Sequence, residues 1–297
     1  MSSQARVSII ILFILFGAFM LTLSGCTLLG SKAHKNIVYA RGEGKISDQR
    51  LNIFAPNRSG NPKDVLIFIH GGNWNSGKKS QYNLIGRNWS RKGIVCVIID
   101  YPLSPEATYR QMADYSARSV KWVKDNIQNY GGNPDQIFIS GHSAGGHLAA
   151  LIAIDDQYFK KLNMLNPIKG LILIDAAGLD MYGYLLEEKP SGENTYLKTF
   201  TKDQKDWKDA SPLYHLHKEM PPVTIFRGEN TYPSIISSNE KFRIALNEFA
   251  PGTPYEIIKN KKHIPMITQF FNPWNKSYNR ILGFIKGVKS GDSVAKN

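Results

Sequence analysis

Short, unbroken runs of Val, Ile, Leu and Phe limit this chain to few architectures. They lie at 65–69, 94–99, 136–140, 170–174 and 223–226, with a last run at 255–258. None shows the polar alternation of a half-solvated strand, so each reads as a strand buried on both faces. Amphipathic stretches separate them. A helix is expected around 82–92. Another is expected over 112–130, where Val120, Val123, Ile127 and Tyr130 recur at spacings of three and four, until Gly131-Gly132-Asn133-Pro134 stops it. Phe242, Ala245 and Phe249 mark a further helix face, and 281–286 belongs to a closing helix. Strands alternating with helices imply right-handed crossovers and a mostly parallel central sheet flanked by helices. One stretch breaks the rhythm, at about 176–220. An insertion there sits above the strand ends, where open α/β sheets bind ligands. Its Tyr182, Tyr184, Tyr196, Phe200 and Trp207 are expected mainly to pack it onto the domain.

Between the 136–140 run and a small-residue helical stretch lies Gly141-His142-Ser143-Ala144-Gly145. This fits G-x-S-x-G, in which a serine occupies a sharp strand-to-helix turn and flanking glycines permit close backbone packing. A second motif, His70-Gly71-Gly72-Asn73-Trp74, follows the 65–69 strand. Acyl transfer builds negative charge on a carbonyl oxygen, and backbone N–H groups must be aimed at it. Gly71, Gly72 and Ala144 are the candidate donors. No metal or organic cofactor is required by such chemistry.

These motifs, with Asp100-Tyr101-Pro102 and Ala210-Ser211-Pro212-Leu213, resemble the α/β-hydrolase esterases, near the kynurenine-formamidase-like and feruloyl-esterase-like branch. The resemblance runs from about 53 to 286. It implies the α/β-hydrolase fold and a serine carboxylesterase acting on a small or carbohydrate-linked ester through an acyl-enzyme. The same machinery would serve an aryl formamide or a peptide amide. A surface lipoprotein that binds a ligand without catalysis is the reading from another class. Pro102 departs from the pattern, since relatives usually carry Arg there.

The general base must follow the serine. Of seven histidines, His34 precedes the domain, His70 belongs to the glycine loop, His142 and His147 flank the elbow, and His215 and His217 lie in the insertion. His263, after the last strand, remains, and it matches the family's catalytic histidine by position. The acid is less defined. By resemblance it falls three residues beyond Gly228, where this chain has Thr231. Glu229 is the first substitute, Asp175 the second, and a missing acid the third alternative.

Residues 7–23 are almost wholly apolar behind Arg6, and Leu23-Ser24-Gly25-Cys26 follows. This reads as a secretory signal and resembles a bacterial lipobox. The expectation is a signal over 1–25, acylation at Cys26, a tether and edge segment over 26–47, the domain over 48–290 and a flexible tail over 291–297. It implies export and a lipid anchor in the bacterial cell envelope. Cys96 sits in an apolar run and reads as an inert core thiol. The net charge is +13, but the cations are scattered without interleaved aromatics, so nucleic-acid binding is not expected.

Overall fold

Eight strands build one sheet in the order β1-β2-β4-β3-β5-β6-β7-β8 in the computed structural model, which describes residues 30–57 and 60–291. The strands are β1 (Ser31–Ala40), β2 (Gln49–Pro56), β3 (Lys63–Ile69), β4 (Val95–Ile99), β5 (Gly132–His142), β6 (Ile168–Ile174), β7 (Val223–Gly228) and β8 (Tyr255–Ile258). β2 runs antiparallel to both β1 and β4, and all other pairs are parallel. This is the mostly parallel sheet that the apolar runs imply. Cys26, the 1–25 segment and residues 292–297 lie outside the described residues.

The helices are α1 (Asn83–Arg91), α2 (Tyr109–Asn126), α3 (Ala144–Ile154), α4 (Gln157–Lys160), α5 (Met181–Glu188), α6 (Thr195–Phe200), α7 (Gln204–Asp209), α8 (Pro233–Phe249), α9 (His263–Thr268) and α10 (Lys276–Ser290). Both faces of the sheet are covered. Val65, Ile67 and Ile69 of β3 pack with residues of α2, α3 and α8, whereas Leu66 and Phe68 pack with α1, α9 and α10. Successive side chains on a strand point to opposite faces, so a strand buried twice has no polar positions. Cys96 is one of these core residues, and burial pushes its thiol pKa well up.

The segment before the domain differs from a plain tether. It already forms the ten-residue edge strand β1, paired to β2 from Ser31 opposite Pro56. An edge segment was expected there, and β1 supplies it: the strand is solvent-facing along much of its length and carries polar residues, whereas β2 is largely buried and was not expected. The predicted helix over 112–130 starts earlier, at Tyr109, and ends as a short 3₁₀ turn, Ile127–Tyr130. The Gly131-Gly132 pair does stop it, and β5 begins at once at Gly132.

The strand order sets the position of the site. From β3 the chain first adds β4 on one side, then crosses back to add β5 on the other. The crevice at such a switch point, at the carboxyl ends of the strands, is where open α/β sheets hold ligands. Register then aligns the loops. Ile69 pairs with Gly141, His142 with Ile174, and Ile174 with Phe226. The residues just beyond these positions meet at one edge of the sheet.

Candidate active site

Ser143 stands between the last residue of β5 and the first of α3, with φ 55° and ψ −125°. A non-glycine residue in this region costs about 1–3 kcal/mol, which surrounding structure must offset. Here the Ser143 N–H donates to the Ile174 carbonyl at 3.3 Å, and the Ser143 carbonyl accepts from Ala177 N at 3.2 Å. The turn also needs Gly145, because a Cβ there would run into the Ile69 and His70 carbonyl oxygens. The strained backbone thus lifts the serine hydroxyl above the sheet edge.

Two side chains align behind that hydroxyl. His263 Nε2 lies 2.9 Å from Ser143 Oγ, and its Nδ1 lies 2.6 Å from Asp175 Oδ2. His263 is the first residue of α9 and is buried. Asp175 directly follows β6, is fully buried, and has φ 47°. Its carboxylate accepts from three groups: the Gly228 N–H at 2.7 Å, the Thr231 hydroxyl, and the His263 ring. Those bonds give the buried carboxylate hydrogen-bond partners in place of water.

The acid is therefore not Glu229. Glu229 is exposed, and its Oε2 accepts the Asn260 N–H at 2.7 Å, so its length is used up in bracing its own loop. Thr231 does approach the histidine, but through Asp175, to which its hydroxyl donates. The carboxylate sits one strand nearer the serine than the expected position. Its sequence signal was an aspartate ending a buried strand next to the elbow.

The glycine loop after β3 borders the serine. Gly72 has φ 136°, and Asn73 and Trp74 follow with φ 49° and 59°. Three successive left-handed residues curl the loop over the site. Gly71 comes so near that a Cβ would lie 3.2 Å from the Ser143 Cβ. Ala144 opens an eleven-residue helix, where free N–H groups and the helix dipole favour negative charge. Gly71, Gly72 and Ala144 thus stand around the serine from two sides.

Three other histidines act as buttresses. His142 Nε2 donates to the His263 carbonyl at 3.1 Å, and the two rings stack at 4.5 Å. Burial, with the nearby His263 charge second, pushes the His142 pKa down to about 3, so this ring remains neutral. His147 is likewise held neutral, down to about 4, by burial. It accepts the Trp74 indole N–H on Nδ1 at 3.0 Å and donates from Nε2 to the Ala210 carbonyl at 2.6 Å. One ring thereby locks the glycine loop to the insertion. His70 Nδ1 donates to the Gly71 carbonyl at 2.8 Å, and its ring stacks on Tyr101 at 4.5 Å.

The nitrogen and oxygen atoms of His142, Asp175 and His263 converge closely enough to suit a metal ion. In this arrangement, however, both His263 ring nitrogens face hydrogen-bond partners and the carboxylate is taken up as described. The geometry is that of a proton relay.

A cavity of about 990 Å³ opens in front of Ser143. The insertion supplies one wall. Phe200 and Trp207 are buried and hold it to the domain, as expected of a packed lid. Tyr184 and Tyr196 instead line the cavity.

Comparison with known proteins identifies the family and the fold. The family model described as BD-FAE matches residues 51–238. The esterase LipQ of Mycobacterium tuberculosis is 32% identical over 214 residues, 67% of this chain and 49% of the relative. The isoprenylcysteine alpha-carbonyl methylesterase ICME of Arabidopsis thaliana is 25% identical over 260 residues, 80% of this chain and 58% of the relative. This chain thus spans about half the length of the curated relatives it matches. Among solved structures, a truncated carbohydrate esterase from gut microbiota superposes with a TM-score of 0.73 at 18% identity, covering 89% of this chain and 98% of that one. The apo form of Thermogutta terrifontis esterase 2 gives 0.70 at 19% identity, covering 90% and 97%. At that identity the likeness concerns the fold.

Proposed function

This chain belongs to the BD-FAE family of α/β-hydrolases, and from that premise we propose that it is a serine carboxylesterase acting on a small or carbohydrate-linked ester. The observation that carries the reading is the continuous chain of contacts from Ser143 Oγ through both His263 ring nitrogens to Asp175. In this reading Ser143 Oγ attacks the ester carbonyl carbon as its proton passes to His263 Nε2. The carbonyl π electrons move to oxygen, and the N–H groups of Gly71, Gly72 and Ala144 hold that oxyanion. Nε2 then protonates the leaving alkoxide as the C–O bond breaks, which leaves an acyl-serine. Water, deprotonated by the same nitrogen, attacks the acyl carbon, and as the bond from that carbon to Ser143 Oγ breaks Nε2 returns the proton to Oγ and the acid leaves. Asp175 keeps Nδ1 protonated and stabilises the imidazolium. The non-catalytic alternative drew on a missing carboxylate, and Asp175 fills that role.

A fluorophosphonate probe tests the assignment. We expect one covalent adduct, located by mass spectrometry on the peptide that contains Ser143. Failure of the folded protein to react, or an adduct elsewhere, would overturn it.

On the Leu23-Ser24-Gly25-Cys26 sequence we also propose export and lipid attachment at Cys26. No helix among the described residues is long and apolar enough to span a bilayer. Ser31, paired with Pro56, lies at the sheet edge remote from the carboxyl strand ends. A tether arriving there leaves the cavity mouth clear. Metabolic labelling with a palmitate analogue in a bacterial host should mark the wild type and not Cys26→Ala. Equal labelling of both would refute the attachment site.

A further inference from the structure

The cavity in front of Ser143 runs against the charge of the chain. The sequence has 37 Lys and Arg against 24 Asp and Glu, yet among the described residues no Lys or Arg lines the cavity. Its two lining carboxylates outside the relay are Asp180 and Glu188. Asp180 is already compensated. It caps α5 by accepting the Gly183 N–H at 2.9 Å and pairs with Lys241 Nζ at 2.9 Å. Glu188 is exposed and makes no ion pair among the described residues.

Aromatic rings stand next to that free carboxylate. Tyr184 lies one helical turn before Glu188 on α5, on the same face. The two are near enough that the Glu188 charge acts on the Tyr184 phenol. Tyr196, from α6, meets Tyr184 edge-on at 5.4 Å, and Trp74 meets Tyr196 at 6.1 Å. All three rings line the cavity that contains Ser143. Ring faces attract cations through their quadrupole, and a nearby unpaired carboxylate adds a charge of the right sign.

We propose that Trp74, Tyr184, Tyr196 and Glu188 form a subsite for a cationic group of the substrate, an ammonium carried on the ester. The proposal rests on the esterase reading and deepens it. The wall of rings gives the ammonium a partly dehydrated seat, and Glu188 neutralises it there. An anionic substituent would meet the uncompensated Glu188 carboxylate, so the site selects against it. The positive net charge of the chain acts at longer range and is screened over about 10 Å at 0.1 M salt, so the local wall decides.

Two esters of equal shape test this. Butyrylcholine and 3,3-dimethylbutyl butyrate differ by a nitrogen cation in place of a carbon. At low ionic strength kcat/KM should favour the choline ester by about tenfold. The ratio should fall toward one in Glu188→Gln, in Tyr184→Leu and at 1 M salt. A wild-type ratio of one or below, or a ratio indifferent to Glu188, overturns the subsite. Choline binding followed by NMR line broadening reads the same wall without turnover. Glu188-dependent binding of choline with hydrolysis of neither ester would keep the subsite and sink the esterase reading. Absence of choline binding together with turnover of the neutral ester would do the reverse.

Discussion

Replacing His263 with alanine should lower kcat toward short acyl esters by about 10⁶-fold, because serine, base and acid act as a unit. Without Nε2 the Ser143 proton has no acceptor, and the leaving alkoxide has no donor. The residual rate should come from substrate binding and the oxyanion donors. The fold should survive. Asp175 keeps its bonds from Gly228 and Thr231, and the ring lost stacks on His142 and meets Tyr232 at a tilt. The check is steady-state hydrolysis by a variant shown folded by circular dichroism. A loss below about 100-fold would mean that another group takes the proton.

Asp175→Asn should cost about 10⁴-fold in kcat, and Glu229→Gln should leave kcat within twofold. The asparagine would keep the volume and could still accept from Gly228. Its amide would offer Nδ1 either a donor or a neutral acceptor, so the ring would be held less firmly in the Nδ1–H tautomer and its imidazolium would lose the adjacent charge. Glu229 touches no part of the relay. The decisive comparison is the pair of variants under one assay. If Glu229→Gln loses more activity than Asp175→Asn, the acid has been assigned to the wrong loop. Thr231 enters the same account as a positioning residue, since its hydroxyl reaches the ring only through Asp175.

Much of the site was legible because its parts are local. The Gly141–Gly145 turn carries its strand, its serine and its helix within a short span, and the steric need at Gly145 is met by neighbours on the adjacent loop. The glycine loop at Gly71 and Gly72 was legible for the same reason. The buried strands announced themselves by composition, because burial on both faces leaves no polar positions. β1 and β2 did so less clearly: the edge strand β1 is open to water and tolerates Lys32, His34 and Lys35, and β2, though largely buried, interrupts its apolar residues with Asn52. Tyr184 and Tyr196 read like lid packing, and only their placement on the cavity side separates them from Phe200 and Trp207.

The amino-acid sequence by itself determined the layered α/β architecture through its periodicities and the nucleophile through its motif, while the base followed from elimination among the histidines and from its position in the family pattern. Tertiary structure alone decided the acid. Asp175 and His263 are 88 positions apart, and the strand-end position of Asp175 does not by itself rank it above Glu229 as a partner for that ring. The choice depends on which strand lies beside β5, how the Ile174 and Phe226 registers align, and which carboxylate is buried with its hydrogen bonds satisfied. Those are properties of the assembled sheet, and a carboxylate's usefulness to an imidazole is set by distance and desolvation rather than by its place in the chain.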